Sequence, residues 1–128
     1  MIAHISIGVA DIERSKCFYD AALKPLGYRC VRAAGSLSGY GYGRDTIAFW
    51  VVFAEHPVAA DPKSGLHICF AASDPAAVDA FHAEALKAGA RDNGGPGLRP
   101  KYGHDYYAAF VIDPDGYRIE AYSGPGER

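Results

Sequence analysis

The chain has only three cysteines in 128 residues, an odd number. Cys17, Cys30 and Cys69 lack the short paired spacings of a structural zinc site and cannot close a full set of disulfides. A disulfide-stapled secreted scaffold is therefore excluded, and buried, reduced thiols in a cytoplasmic protein are expected. Long hydrophobic runs are missing too. Nothing approaches the roughly 18 apolar residues needed to span a bilayer, and the first residues lack the basic-then-apolar order of a secretory leader, so no membrane partner is expected. Charge of one sign is scarce: thirteen Lys and Arg face fifteen Asp and Glu for a net charge of -2. The basic residues form no block, which argues against nucleic acid as a partner.

Apolar residues, in contrast, make up 49% of the chain, enough for the core of one globular domain over residues 1–128. Tyrosine is the unusual abundance. Nine tyrosines accompany one tryptophan, and several cluster late in the chain, where rings with a polar tip suit the wall of a small-molecule cavity.

The chain repeats itself. Shifted by 63 residues, His4 falls on His67, Ile5 on Ile68, Asp11 on Asp74, Phe18 on Phe81, Leu23 on Leu86 and Lys24 on Lys87. Each half opens on a short β-type run, "HISIGV" or "HICFAA". Each continues with an aspartate placed to cap a helix, Asp11 or Asp74, the second followed by Pro75 at the first helical position. Ser15, Phe18, Ala22 and Leu26 approximate one face of the first helix, and Val78, Phe81, Ala85 and Leu86 one face of the second. Gly27 and Gly89 are natural stops. About three strands follow each helix, and the Asp-Gly step of "DPDG" marks a hairpin turn. The spacing predicts module one over about 2–54, a polar, proline-containing linker over about 55–65, and module two over about 66–123. A unit this small cannot bury a sheet face alone, so two must combine, from one chain or two.

Alternation along a strand puts His4, Ser6 and Gly8 on one face and Ile5, Ile7 and Val9 on the other. His67 and Cys69 repeat the pattern against Ile68 and Phe70. In the last strand Arg118, Glu120 and Tyr122 share a face. A mid-strand glutamate in "YRIEAY" is poorly solvated unless that face lines a polar cavity or a metal. Two imidazoles and a carboxylate that converge would leave a divalent metal open positions for water and substrate, as Fe(II), Mn, Ni or Zn chemistry requires. The alternative at this level is two satisfied histidines and a solvated glutamate. The stretch "DNGGPGLRPKYGHDYYAAF" could close over the face: Arg99, Lys101, Tyr102, His104, Tyr106 and Tyr107 offer cations and phenols to an anionic, aromatic or phenolic ligand.

Three stretches, "HISIGVADIERSKCFYDAALKPLGY", "GLHICFAA" and above all "AAFVIDPDGYRIEAY", resemble the vicinal oxygen chelate superfamily of glyoxalase I, extradiol dioxygenases and bleomycin-resistance proteins, over about residues 2–123. The resemblance implies an α+β fold: two βαβββ modules forming a cupped mixed sheet with helices on the outside. It implies a divalent metal held by His4, His67 and Glu120, with Glu120 also a candidate base. It implies a small-molecule substrate chelated through adjacent oxygens, dioxygenase-like or glyoxalase-like (lyase or isomerase) chemistry, and a homodimer. Where the glyoxalase pattern has a further carboxylate on the last strand of module one, this chain has Phe49 and Trp50; one of them is expected to wall the cavity opposite Glu120, with Arg118 and Tyr122 as further substrate-binding candidates. The competing function is a non-catalytic ligand-sequestering protein similar to the bleomycin-resistance proteins.

Overall fold

Both halves of the repeat fold alike. In the computed structural model, which describes residues 1–125, strand β1 (Ile5–Val9) leads through helix α1 (Ile12–Leu23) and a 3-10 turn (Lys24–Leu26) into β2 (Arg29–Ala34), β3 (Leu37–Tyr42) and β4 (Thr46–Phe53). The second half runs β5 (His67–Ala71), α2 (Pro75–Lys87), β6 (Arg91–Asp92), β7 (Gly97–Leu98), β8 (Tyr107–Ile112) and β9 (Arg118–Ser123). The last three residues of the expected domain lie outside the described ones.

The first sheet has the order β1-β4-β3-β2 and the second β5-β9-β8-β6, with β7 also on β8. In each, the opening strand runs parallel to the last and the remaining pairs are antiparallel. These are two βαβββ modules built as mixed sheets. The second departs from a plain three-strand run because Gly94, at φ 141°, and Pro96 interrupt the chain between two short strands.

The helices begin where their caps place them. Asp11 accepts from the Arg14 amide at 3.1 Å, and Asp74 from the Ala77 amide at 2.8 Å. Gly27 adopts the left-handed φ of 84° that ends the first helical segment, a conformation costly for any residue with a Cβ. The buried face of α1 is wider than its spacing predicts: Tyr19 and Leu23 join Ser15, Phe18 and Ala22, while Leu26 is only partly covered. On α2, Val78, Phe81 and Ala85 are buried, but Leu86 is exposed, one position off the inward stripe. The expectation for the thiols also needs correction. Cys17 and Cys69 are exposed and Cys30 half-buried, because the first lies on the outer side of α1 and the second on the sheet face away from the core.

One core serves both modules. α1 and α2 touch, and Phe49 of the first sheet meets Phe70 of the second edge-on at 5.2 Å between ring centres. Tyr19 packs edge-on against both Phe18 and Phe49. The helix-bearing faces of the two sheets therefore share an interior, which solves the burial problem neither module could solve alone.

The "DPDG" turn between β8 and β9 clasps module two to module one. Asp115 accepts from the Ala10 amide at 3.4 Å, Arg14 Nη2 at 3.0 Å and Ser15 Oγ at 2.9 Å, so a carboxylate sits at the N-terminus of α1, where the helix dipole favours it. The buried Tyr19 hydroxyl donates to Asp113, and the Tyr117 hydroxyl donates to the Gly8 carbonyl at 2.7 Å. Among the described residues no helix is long and apolar enough to cross a membrane.

Candidate functional site

Strand register decides which side chains meet. In the second module Cys69 pairs with Glu120 and Glu120 with Phe110 across adjacent strands, so these three share the face away from the helices. His67 is paired with Arg118, and Ala71 with Tyr122, on that same face. Ile68, Phe70, Ile119 and Ala121 point the opposite way into the core.

Glu120 is the centre of this face. It is 2% exposed. A carboxylate so deeply covered is costly unless each oxygen has a donor, and both do. His67 Nε2 lies 2.6 Å from Oε1, an arrangement that puts the imidazole proton on Nε2. The Tyr106 hydroxyl donates to Oε2 at 2.5 Å. Burial, and then the hydrogen bond to Glu120, push the Tyr106 phenol above the ordinary tyrosine range, so it remains a donor at neutral pH. The His67 side chain is 45% exposed, which leaves the His67–Glu120 pair open on one side.

Aromatic rings flank the pair. Tyr106 lies on Tyr122 with ring centres 4.0 Å apart, and Tyr102 meets Tyr106 edge-on at 5.4 Å. Phe110 lies 6.4 Å from His67 and carries the Arg99 guanidinium 5.3 Å above its ring centre. A cleft of about 460 Å³ runs along Arg99, Lys101, Tyr102 and Phe110, and another of about 560 Å³ along Cys69, Tyr106 and Tyr122. Both fall in the size range of small-molecule sites.

The other expected residues are placed as follows. His4 is exposed and precedes β1. Among the described residues no group of three His, Cys, Asp or Glu side chains is arranged to hold a metal, so His4 does not join His67 and Glu120 within one chain. The two modules nevertheless meet at a shared cleft of about 490 Å³, with Ser6 and Gly8 of β1 on one side and His67 and Ile68 of β5 on the other. Of the neighbours Phe49 and Trp50, Phe49 is 1% exposed and belongs to the core, because alternation turns it toward the helices. Trp50 is on the opposite face, paired with Ser6 and lying over Gly39, where a Cβ would come within 2.7 Å of its ring. Tyr107, like Phe49, turns inward: its ring packs on the core and its hydroxyl donates to Asp79 of α2 at 2.6 Å. It therefore cannot face a ligand beside Glu120. His104 is highly exposed and lies 3.6 Å from Asp105. Arg118 shares the His67 face but spends a donor on the Pro62 carbonyl at 3.1 Å.

Phe110 is the site residue that spacing alone did not single out. The signal was available in the turn: with Ile112 opposite Arg118 across "DPDGY", moving two residues away from the turn on each strand sets Phe110 opposite Glu120.

A family model of the glyoxalase/bleomycin resistance protein/dioxygenase superfamily matches residues 1–121. A glyoxalase/bleomycin resistance protein from Albidiferax ferrireducens is 35% identical and superposes with a TM-score of 0.79, covering 96% of this chain and 98% of that one. A glyoxalase-related enzyme from Fulvimarina pelagi (20% identity, TM-score 0.74, 98% and 88% covered) and the fosfomycin resistance protein FosX from Mesorhizobium loti (21%, 0.71, 98% and 93%) share the fold. No curated protein matches the sequence. With nearly the whole length matched by the family model and by a relative of this identity, the chain belongs to the glyoxalase/bleomycin resistance protein/dioxygenase superfamily.

Proposed function

We propose that this protein is a cytoplasmic, homodimeric enzyme that binds a small molecule through adjacent oxygens at a divalent metal. The observation that carries the reading is the convergence of His67 Nε2 and Glu120 Oε1 at 2.6 Å on an open face lined by aromatic rings. Two groups of the right chemistry thus lie at one place, and a metal there would replace the Nε2 proton that His67 gives to Glu120. A third is required for an open catalytic site, and among the described residues a single chain does not bring one there. His4 is exposed at the head of β1 and free of the core, so we assign the third position to His4 of a second copy. The residues fit the metal as a site shared by two chains.

When bound, such a metal supplies Lewis-acid stabilisation of an enolate or catecholate. The chain's own contribution is separate. Glu120 is the candidate base, able to take a proton at Oε1 or Oε2. Tyr106 holds Oε2 and fixes the carboxylate's orientation. To Trp50, on the open face of module one, we assign the wall that would exclude water from the shared site. Dioxygenase-like and glyoxalase-like chemistry are both compatible with this set.

One observation favours the sequestering alternative. Both Glu120 oxygens already have protein donors, so the carboxylate is satisfied without a metal. Metal content separates the two readings. Wild type and the His4→Ala, His67→Ala and Glu120→Gln variants are reconstituted with Fe(II), Mn(II), Ni(II) or Zn(II), and bound metal is counted. The expected result is metal in wild type and loss in each variant. Refolding His4→Ala together with His67→Ala should restore metal, since a mixed dimer keeps one intact shared site. Wild type without any of the four metals, or variants equal to it, would overturn the proposal; failure of the mixture to recover metal would overturn the shared site.

A further inference from the structure

Residues 93–101, "NGGPGLRPK", are glycine-rich yet tied down. The Asn93 amide donates to the Phe110 carbonyl at 2.9 Å, the Phe110 amide to the Gly94 carbonyl at 2.8 Å, and the Arg99 amide to the Tyr106 carbonyl at 2.7 Å. The glycines serve the arginine. At Gly94 a Cβ would fall 3.1 Å from Phe110 Cδ1 and 3.3 Å from Arg99 Nη2, and at Gly97 one would fall 3.2 Å from Arg99 Nη1. Their absence lets Arg99 fold back on its own loop. Nη1 donates to the Gly97 carbonyl at 2.9 Å and Nη2 to the Gly95 carbonyl at 2.6 Å. The guanidinium is thereby fixed over Phe110.

Among the described residues Arg99 has no carboxylate in ion-pair range, and none lines its cleft, whereas Lys101 adds a second positive charge there. A guanidinium carries five N–H donors, and the two carbonyls leave the others for a ligand. A fork held in place by its loop is preorganised for a carboxylate, so binding costs little further ordering. Phe110 and the exposed ring of Tyr102 line the same cleft and reward a flat apolar body, which inorganic phosphate lacks.

We propose that the Arg99–Phe110 cleft binds the carboxylate of a small aromatic acid, with Arg99 and Lys101 on the carboxylate and Phe110 and Tyr102 on the ring. This deepens the function proposed above and rests on it for the reacting end: Phe110 is the cross-strand neighbour of Glu120, so an acid seated here reaches toward His67 and Glu120. The carboxylate contact itself needs no metal.

The test uses metal-free protein treated with EDTA. Benzoate, neutral benzamide, acetate and inorganic phosphate are titrated while the backbone amide resonances of Gly94, Gly97 and Phe110 are followed by nitrogen-15 NMR in wild type and variants, and the Arg99 Nε–H resonance in wild type. Benzoate should shift these resonances saturably and bind at least about tenfold more tightly than the other three, the scale of one charge-assisted contact. Arg99→Gln should weaken benzoate by about tenfold, Arg99→Lys by less because it keeps charge without the fork, and the exposed Lys101→Gln by a smaller factor. Wild type without saturable benzoate binding overturns the proposal while leaving the metal reading, which is scored by metal content, untouched. Benzamide, acetate or phosphate binding as tightly as benzoate overturns it as well, as does Arg99→Gln or Arg99→Lys equal to wild type.

Discussion

The Tyr19 hydroxyl donates to the Asp113 carboxylate inside the core, joining α1 to the turn between β8 and β9. Asp113 also accepts the Asp115 and Tyr117 amides at 2.9 and 2.8 Å. Burial raises the Asp113 carboxyl above its ordinary range, and these donors pull against that rise. Tyr19→Phe removes one of them and leaves the rest of the ring in place. It should cost about 1–3 kcal/mol, the penalty for leaving a buried polar group short of a partner. Urea unfolding should show a lower midpoint at unchanged slope; an unchanged midpoint would refute the role assigned to this bond.

Glu120 should depend on Tyr106 in the same way. Tyr106→Phe strips the donor from Oε2 and is expected to lower stability by about 1–3 kcal/mol. Tyr102→Phe, whose hydroxyl sits on an exposed residue, is the control and should stay within about 0.5 kcal/mol. Equal effects from the two would remove Tyr106 from the support of Glu120.

Gly39 gives Trp50 its place. Gly39→Ala puts a Cβ 2.7 Å from Trp50 Cζ3 and 3.1 Å from Ile47 Cδ1, so the indole must move. Trp50 is the single tryptophan, which makes its emission and near-ultraviolet dichroism a direct readout. Both should change while far-ultraviolet dichroism persists, with a destabilisation of about 1–3 kcal/mol from overpacking. Identical emission in the variant would mean the ring does not lie over β3.

Alkaline pH should erode the fold through its tyrosines. Burial raises Tyr19, Tyr28, Tyr40, Tyr106 and Tyr117 above the ordinary range, and a hydrogen bond to Asp79 raises Tyr107. An unfolded chain loses these protons near pH 10, whereas the native one holds them. The native state then binds more protons, so the stability they contribute is complete below about pH 10 and is lost as pH climbs toward the folded values. Absorbance at 295 nm should show fewer ionised tyrosines at about pH 10.5 in native protein than in urea. Superimposable titration curves would contradict this.

Local chemistry made much of the fold legible. Capping aspartates, stop glycines and two-residue alternation placed Asp11, Asp74, Gly27 and the open face of β9 because each rests on contacts within a few residues. The cysteines and Leu86 were misplaced for a different reason. Their burial depends on which side of a helix or sheet another module covers, and spacing along one element does not carry that. Phe49 and Trp50 were legible only as a pair, since alternation separates them without saying which faces in. The clasp was hidden in the same way: "DPDG" reads as a turn, and nothing near it in sequence shows that Asp113 and Asp115 will meet α1.

That clasp has a consequence for how the chain is made. Ser15 and Asp115 are 100 residues apart, and Gly8 and Tyr117 are 109 apart. During synthesis the first βαβββ unit leaves the ribosome long before its partners exist, with the N-terminus of α1 lacking its carboxylate and Tyr19 lacking its acceptor. The nascent protein must keep that half-finished core in solution until "DPDGY" emerges. Contacts of such long range close slowly, so the native structure of the first unit waits for "DPDGY", and a chain stopped before Asp113 lacks the groups that complete its beginning.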